Sequence, residues 1–516
     1  MNQFINQVRL IYIKISVFPK FFKIPYANRQ LAVKIHAYSI TEISLVVKEK
    51  TSELDKKENG LYNRLMRNDK TTVVFGAGAD CGIFPMTNHL IAAINRFLKH
   101  DETGIQAEHM LRKALGLKHY CYGSIMDEVA FRFIRKPDSG QIENIRRRIA
   151  SLSPTLSEKK LCDFIFALVE EIKNTPKKNR DNDRIETRPD LLKLLDATGL
   201  NKIVTVCPET SVNSFLLKAF RALLHVYLDQ PENKVLHQLF KTIVRFDAIL
   251  LELFLGFYNG NQSDIRRYMY VSWTMWAFFV HTEQLYLLKN IENPCIYMKI
   301  KECSAITLNY TTLADRFMGK RAGILHFHGS SINYIDCGTR EEITLPSFAG
   351  GNSVEEFPPM LEILKNDVLP LLHPDWNHSI IPSMIPPFEI KPIIASDTIE
   401  TWHKALNVLA ESNKIVVIGY SFNHVDMHFN DSIIKWVGCK EKTIFIINPD
   451  VKSIVSYFES CPKMDHFKDT PWQSLFIEGT DIYCLKKSNV IIIPGTTKDI
   501  LGENGRYIDV KKLSLC

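Results

Sequence analysis

The stretch Thr71-Thr-Val-Val-Phe-Gly-Ala-Gly-Ala-Asp-Cys-Gly-Ile-Phe-Pro-Met86 constrains this chain more than any other. The apolar run over 72–75 reads as a short buried strand, the glycines as a turn, and the segment from about Thr87 to Leu98 as a helix. Gly76 and Gly78 tolerate backbone angles that a β-carbon forbids, and they let a ligand come close to the turn. A helix N-terminus beyond such a turn offers free N–H groups to an anion. The stretch is therefore a candidate phosphate cradle. Its spacing, Gly76-x-Gly78-x-x-x-Gly82, is one residue longer than the dehydrogenase fingerprint. No strand ending in an acidic residue follows about 20 residues on. An ordinary Rossmann dehydrogenase is disfavoured.

With 516 residues the chain has room for two or three domains. From 100 to 299 the apolar spacing is helical, with segments at Ser157–Lys173, Asp190–Ala197, Ser211–Tyr227, Asn233–Phe257 and Asp264–Asn290. Lys173–Pro189 reads as a charged linker between them. Strands return at Ala305–Leu308, Gly323–Phe327, Lys414–Ile418 and Lys442–Ile447, with late candidates near 482–485 and 490–494; residues 337–395 are proline-rich and irregular. Apolar strands alternating with helices predict an α/β fold, a parallel sheet with helices on both faces. A large all-helical insertion interrupts it. The expected organisation is a basic N-terminal extension and leading helix over 1–68, one α/β domain formed by 69–99 and 300–516, and the helical insertion over 100–299.

Charge narrows the partners. The first fifty residues hold eight basic side chains against Glu42 and Glu49, so +6 of the formal +7 sits there. The body is nearly neutral and gives no strong nucleic-acid signal. The eleven cysteines are scattered without a Cys-x-x-Cys pair, which fits reduced thiols in the cytoplasm and gives no metal site. The most apolar run, Tyr268–Val280, is too short to span a bilayer and meets His281 and Glu283, so no transmembrane segment is expected.

Four apolar strands end in small or polar residues: Gly76-Ala-Gly, Asn309-Tyr, Gly419-Tyr-Ser and Asn448-Pro. Ligands of open α/β sheets bind beyond the carboxyl ends of the strands, so these groups can line one crevice. His328 adds an imidazole directly after a strand. In order, Gly76-Ala-Gly78, Leu308-Asn-Tyr310, His326-Phe-His-Gly-Ser330, Ile418-Gly-Tyr-Ser-Phe422 with Asp426, and Ile447-Asn-Pro449 resemble the sirtuin-like superfamily. The resemblance is strongest to its divergent bacterial branch, found as NAD-cleaving effectors of anti-phage systems. It covers 70–95 and roughly 300–450.

The resemblance implies a Rossmann-like fold that binds NAD+ as substrate across the strand ends. Gly76, Ala77 and Gly78 would hold the pyrophosphate. Gly419 and Ser421 would contact phosphate or ribose, and Asn448 the adenosine ribose. Asn309 would orient the nicotinamide ribose or a water, and His328 would be the catalytic imidazole. The implied activity is NAD+ glycohydrolysis to nicotinamide and ADP-ribose, regulated by self-association or a protein partner through the helical insertion. Asp80 stands where the family has a small hydroxyl residue. A carboxylate there is expected to cap the following helix; facing a pyrophosphate, it would repel it. Asp426 is likewise expected to cap a helix. The four-cysteine zinc ribbon of protein-deacylating sirtuins is absent. A deacylase and a catalytically inactive NAD or ADP-ribose sensor remain as alternatives.

Overall fold

The structure is a computed structural model. It describes residues 70–501, apart from 81, 86–88, 290–294, 301–302, 319–322, 350–357, 387–390, 392, 468–470, 478–479 and 486–487. The extension and leading helix expected over 1–68 lie outside the described residues.

Among the described residues eleven strands form two sheets. They are β1 (Thr71–Phe75), β2 (Ser304–Thr307), β3 (Ile324–His326), β4 (Asn333–Asp336), β5 (Glu342–Thr344), β6 (Ile380–Pro382), β7 (Lys414–Ile418), β8 (Thr443–Ile447), β9 (Trp472–Ile477), β10 (Thr480–Leu485) and β11 (Val490–Ile493). The main sheet runs β3-β2-β1-β7-β8-β11-β10-β9. Its first six strands are parallel. β10 runs antiparallel to both of its neighbours. Taken by chain position, the parallel strands lie third-second-first-fourth-fifth-sixth. This is the order of a doubly wound, Rossmann-like sheet, and its switch point falls at β1.

Alternation along the strands builds two cores. Val73, Phe75, Val416, Ile418, Phe445 and Ile447 face one side, where they join the helices of 90–289 in a single hydrophobic cluster. Val74, Ile306, Ile415, Val417, Ile444 and Ile446 face the other. There the helices Ser396–Glu411, Met427–Ile434 and Val451–Ser460 cover them through Leu409, Phe429, Ile433, Ile454 and Phe458. A strand buried on both faces needs a continuous apolar run, which is what made β7 and β8 legible.

Several expectations need correction. The helix after the glycine turn is Leu90–His100. Asn233–Phe257 is not one helix but three, Lys234–Ile243, Phe246–Phe254 and Gly256–Asn259. Ile243 and Val244 are adjacent and both buried, and the break after Ile243 lets both reach the core. The expected linker contains the helix Lys177–Asn182, with Arg180 buried and Arg188 bridging Glu171 and Asp183. The proline-rich stretch supplies β5 and β6, which pair with β4 in a small antiparallel sheet. The strands of this small sheet are three or four residues long and lie among prolines and turns, which hides their pattern. Among the described residues no helix is long and apolar enough to cross a membrane.

Candidate functional site

Because β1, β2, β3, β7 and β8 are parallel neighbours, their carboxyl ends share one edge of the sheet. Every candidate residue lies there. The contacts between the turns show what each one does.

The glycines of β1 and β7 meet each other. Gly76 N–H donates to Ile418 O at 2.9 Å, and Gly78 N–H to Gly419 O at 2.8 Å. A β-carbon on Gly419 would sit 2.4 Å from the Ala79 nitrogen, and one on Gly78 would sit 2.8 Å from the Gly419 Cα. The glycines are thus required by the close passage of two turns, and Gly419 also needs its φ of +65°. Ala77 is exposed at the tip of the first turn, as is Ser421 beyond the second. Between Ser421 and its neighbours, Phe422 is buried at a φ of +52°, a left-handed conformation unusual for a bulky side chain.

Asp80 does not cap the helix. It ends a short 3₁₀ turn, Ala77–Asp80, ten residues before the helix begins, and His89 occupies the N-cap. Its side chain turns inward and is only 3% exposed. Oδ1 accepts from the Tyr297 hydroxyl at 2.5 Å and Oδ2 from the Thr311 hydroxyl at 3.0 Å. The carboxylate therefore lies beneath the turn rather than at its exposed tip. Burial pushes its pKa up to about 6, against the hydrogen bonds from Tyr297 and Thr311.

Asn309 is tied to the same group. Its Nδ2 donates to Gly76 O at 3.0 Å and to the Tyr297 oxygen at 3.2 Å. Its backbone N–H donates to the Thr307 hydroxyl. Asn448 is a clamp between turns: Nδ2 donates to Tyr420 O at 3.0 Å, and Oδ1 accepts from Asp450 N–H at 2.8 Å.

His328 sits one strand further out. It is buried, and its Nε2 has no hydrogen-bond partner although Asp426 Oδ1 lies 3.4 Å away. The Leu308 backbone hydrogen-bonds the imidazole from the turn after β2. Burial holds the ring neutral, pushing its pKa down to about 3, with Asp426 opposing and Lys391 adding to the shift. Asp426 lies at the start of the helix Met427–Ile434 but makes no cap hydrogen bond with its side chain. It accepts from Lys391 at 2.5 Å instead. The two are almost wholly buried, at 3% and 12% side-chain exposure. Burial opposes ionisation of Asp426, yet the net shift is downward. With His328 neutral at pH 7, Lys391 is the charge that keeps Asp426 ionised there. His428 flanks the group. It stacks on Phe327 and packs on Trp402, and burial pushes its pKa down to about 4.

His326, two residues before His328, goes elsewhere: its Nε2 meets Asp315 at 2.7 Å. Residues two apart on a continuing strand share a face. β3 ends at His326, and this is where the two imidazoles part.

The structure brings Asn309 onto the glycine turn, and His328 onto the Leu308 backbone beside it. It does not bond Asn309 to His328. Sequence reasoning missed Tyr297, Lys391 and His428. Tyr297 and Lys391 lie in segments with no strand or motif to mark them; His428 lies two residues past Asp426 and was open to notice.

No known protein family and no curated protein matches this chain. Among solved structures, one described as "Structural Basis for the Mechanism and Regulation of Sir2 Enzymes" is similar over 34% of this chain and 65% of that chain, at 16% identity and a TM-score of 0.20.

Proposed function

We propose that the chain binds NAD+ across the carboxyl ends of β1, β2, β3 and β7 and hydrolyses its nicotinamide–ribose bond. The observation that carries this reading is His328: a buried, neutral imidazole at a strand end, with Nε2 unpartnered, next to the turn that holds Asn309. Cleavage of that bond develops positive charge on the ribose and asks for positioned polar groups more than for a strong nucleophile. Nε2 accepts a proton from water or a ribose hydroxyl. Asn309 orients the same group, and Ala77 and Ser421 present the exposed turn tips to phosphate. The burial of Asp80 supports binding, since the one acidic side chain of the cradle faces away from it.

The helical block is the proposed point of control, by self-association or a protein partner. Its helix Gln262–Lys289 grips the turns of the site. Trp276 Nε1 donates to Ser331 O at 2.7 Å, and Glu283 accepts from Thr312 N–H at 3.1 Å. A shift of this helix would move the turns after β2 and β3 together. Such control suits a cytoplasmic effector that depletes NAD+ in anti-phage defence.

The test is nicotinamide release from NAD+ by the full chain, with and without an acetylated peptide. Release without peptide is expected. Release only with peptide would make it a deacylase, and tight ADP-ribose binding without any release would make it a sensor.

A further inference from the structure

Asn309 has two faces, a carbonyl oxygen and an NH₂, and which one meets a ligand decides what it can do there. Its neighbours settle the question. Gly76 O, 3.0 Å from one end of the amide, is a backbone carbonyl and can only accept. Tyr297 has one hydroxyl hydrogen, and an ionised Asp80 accepts it at 2.5 Å. The Tyr297 oxygen then has only lone pairs to offer the amide 3.2 Å away. Both constraints place NH₂ inward, and they act together: Gly76 O holds one amide hydrogen and the Tyr297 oxygen the other, so that with one bond gone the amide can swing about the bond that remains. Both amide hydrogens are used, and Oδ1 takes no part in either bond.

We infer that Asp80 and Tyr297 are positioning residues that lock the Asn309 amide with Oδ1 toward the ligand, so that Asn309 meets the nicotinamide ribose or its attacking water as an acceptor. This rests on the NAD+ reading above. It explains a carboxylate directly beneath a phosphate cradle: Asp80 fixes the direction of the Tyr297 hydroxyl, and the hydroxyl fixes the amide. An acceptor at this place suits the reaction. It takes a hydrogen bond from a ribose hydroxyl, or from water as water becomes the nucleophile, and it gives none to the ribose oxygen that must stay electron-rich.

The test compares ADP-ribose with ADP, which lacks the second ribose, by calorimetry on the full chain. Wild type should bind ADP-ribose roughly tenfold more tightly than ADP, the worth of about one well-placed hydrogen bond. Asn309→Ala should abolish the surplus. Tyr297→Phe should cut it to less than about threefold while leaving ADP affinity unchanged. Asp80→Ala should do the same, and Asp80→Asn, whose amide oxygen still accepts from Tyr297, should restore it. A merely structural role would lower both affinities together and leave their ratio intact. Folded Tyr297→Phe with the wild-type ratio overturns the inference. If that variant fails to fold, the Asp80→Ala and Asp80→Asn pair decides on the same ratio. Nicotinamide release by wild type with an unmoved ratio sinks this inference alone. A wild type that binds neither ligand sinks the NAD+ reading with it.

Discussion

Two buried polar groups lie side by side beneath the strand ends, and they are built in opposite ways. Under β1 and β2, Asp80 keeps a carboxylate without a cation, satisfied by the Tyr297 and Thr311 hydroxyls. Under β3 and β7, Asp426 has its cation in Lys391, and Nε2 of the imidazole beside it is left without a hydrogen bond. The first arrangement saturates hydrogen bonds and so fixes an orientation. The second balances charge and so leaves a lone pair free.

The largest expected effect breaks the second group. His328→Ala should lower nicotinamide release by about 10²–10⁴-fold, the usual weight of a general base. It should also cost about 1–3 kcal/mol of stability, because the ring's bond to the Leu308 backbone and its packing on Phe327 are lost. Asn309→Ala should be as damaging to turnover and destabilising by a similar amount, because Gly76 O and Tyr297 lose a donor. Turnover of the purified, folded variants, with thermal denaturation alongside, separates the loss of chemistry from the loss of fold. Wild-type turnover by His328→Ala would remove it from the mechanism.

That contrast also marks what could be read in advance. β7 and β8 were legible because burial on both faces leaves an unbroken apolar run, and β2 and β3 were read from the shorter apolar stretches that precede Asn309 and His328. Asp80 was visible as an oddity, but its hydrogen-bond partners were not. The side chain that explains it, Tyr297, comes from a 3₁₀ turn over Ile296–Met298 about 220 residues away. Lys391 stands in a proline-rich stretch and meets Asp426 only through the fold. Hydrogen-bond partners brought together by long-range packing leave no period in a sequence, whereas faces of strands and helices do.

Next in size is the ion pair. Lys391→Met leaves a buried, unpaired Asp426 and should cost about 3–5 kcal/mol in denaturant unfolding. Asp426→Leu added to it should recover much of that loss, since an apolar pair fills the space without a stranded charge. Recovery would show that charge balance, not packing, dominates here. A double variant no better than the single one would refute that.

Asp80 should behave in the opposite sense with pH. Its pKa is raised in the folded state, from 3.8 to about 6, so its contribution to stability is fully present below about pH 4 and is lost as pH rises through 6. Two units are worth as much as about 3 kcal/mol. Asp80→Asn should therefore stabilise the protein at pH 8, with the gain fading to nothing near pH 4. The charged and titratable groups facing Asp80 are Tyr297 and Glu283, with Tyr286 and Cys295 nearby. Burial leaves the tyrosines and the thiol neutral over this range. His328 runs the other way: its lowered pKa costs stability as pH falls from 6.5 toward 3. Melting curves for Asp80→Asn and wild type from pH 4 to 8 check the sign. A constant offset would mean that Asp80 does not titrate in this range.

The smallest effect on the fold is expected at Ser421, and it separates a residue that faces a ligand from one that faces the protein. Ser421 is exposed at the turn after β7, and among the described residues its side chain makes no hydrogen bond. Asn448, at the neighbouring turn, spends its amide on Tyr420 O and Asp450 N–H. Ser421→Ala should therefore shift stability by no more than about 0.5 kcal/mol, as surface changes do. If its hydroxyl meets a phosphate, the same change should weaken ADP binding by about tenfold or more, the worth of a hydrogen bond to a charged group. Asn448→Ala should show the reverse emphasis: a loss of about 1–3 kcal/mol from the two groups it strands, and a change in ADP affinity only as far as the turn itself moves. Thermal denaturation and ADP calorimetry on the two variants give all four values. ADP binding by Ser421→Ala at the wild-type level would take the hydroxyl out of the phosphate site, and would leave the exposed backbone at Ala77 as the remaining donor on the turn tips.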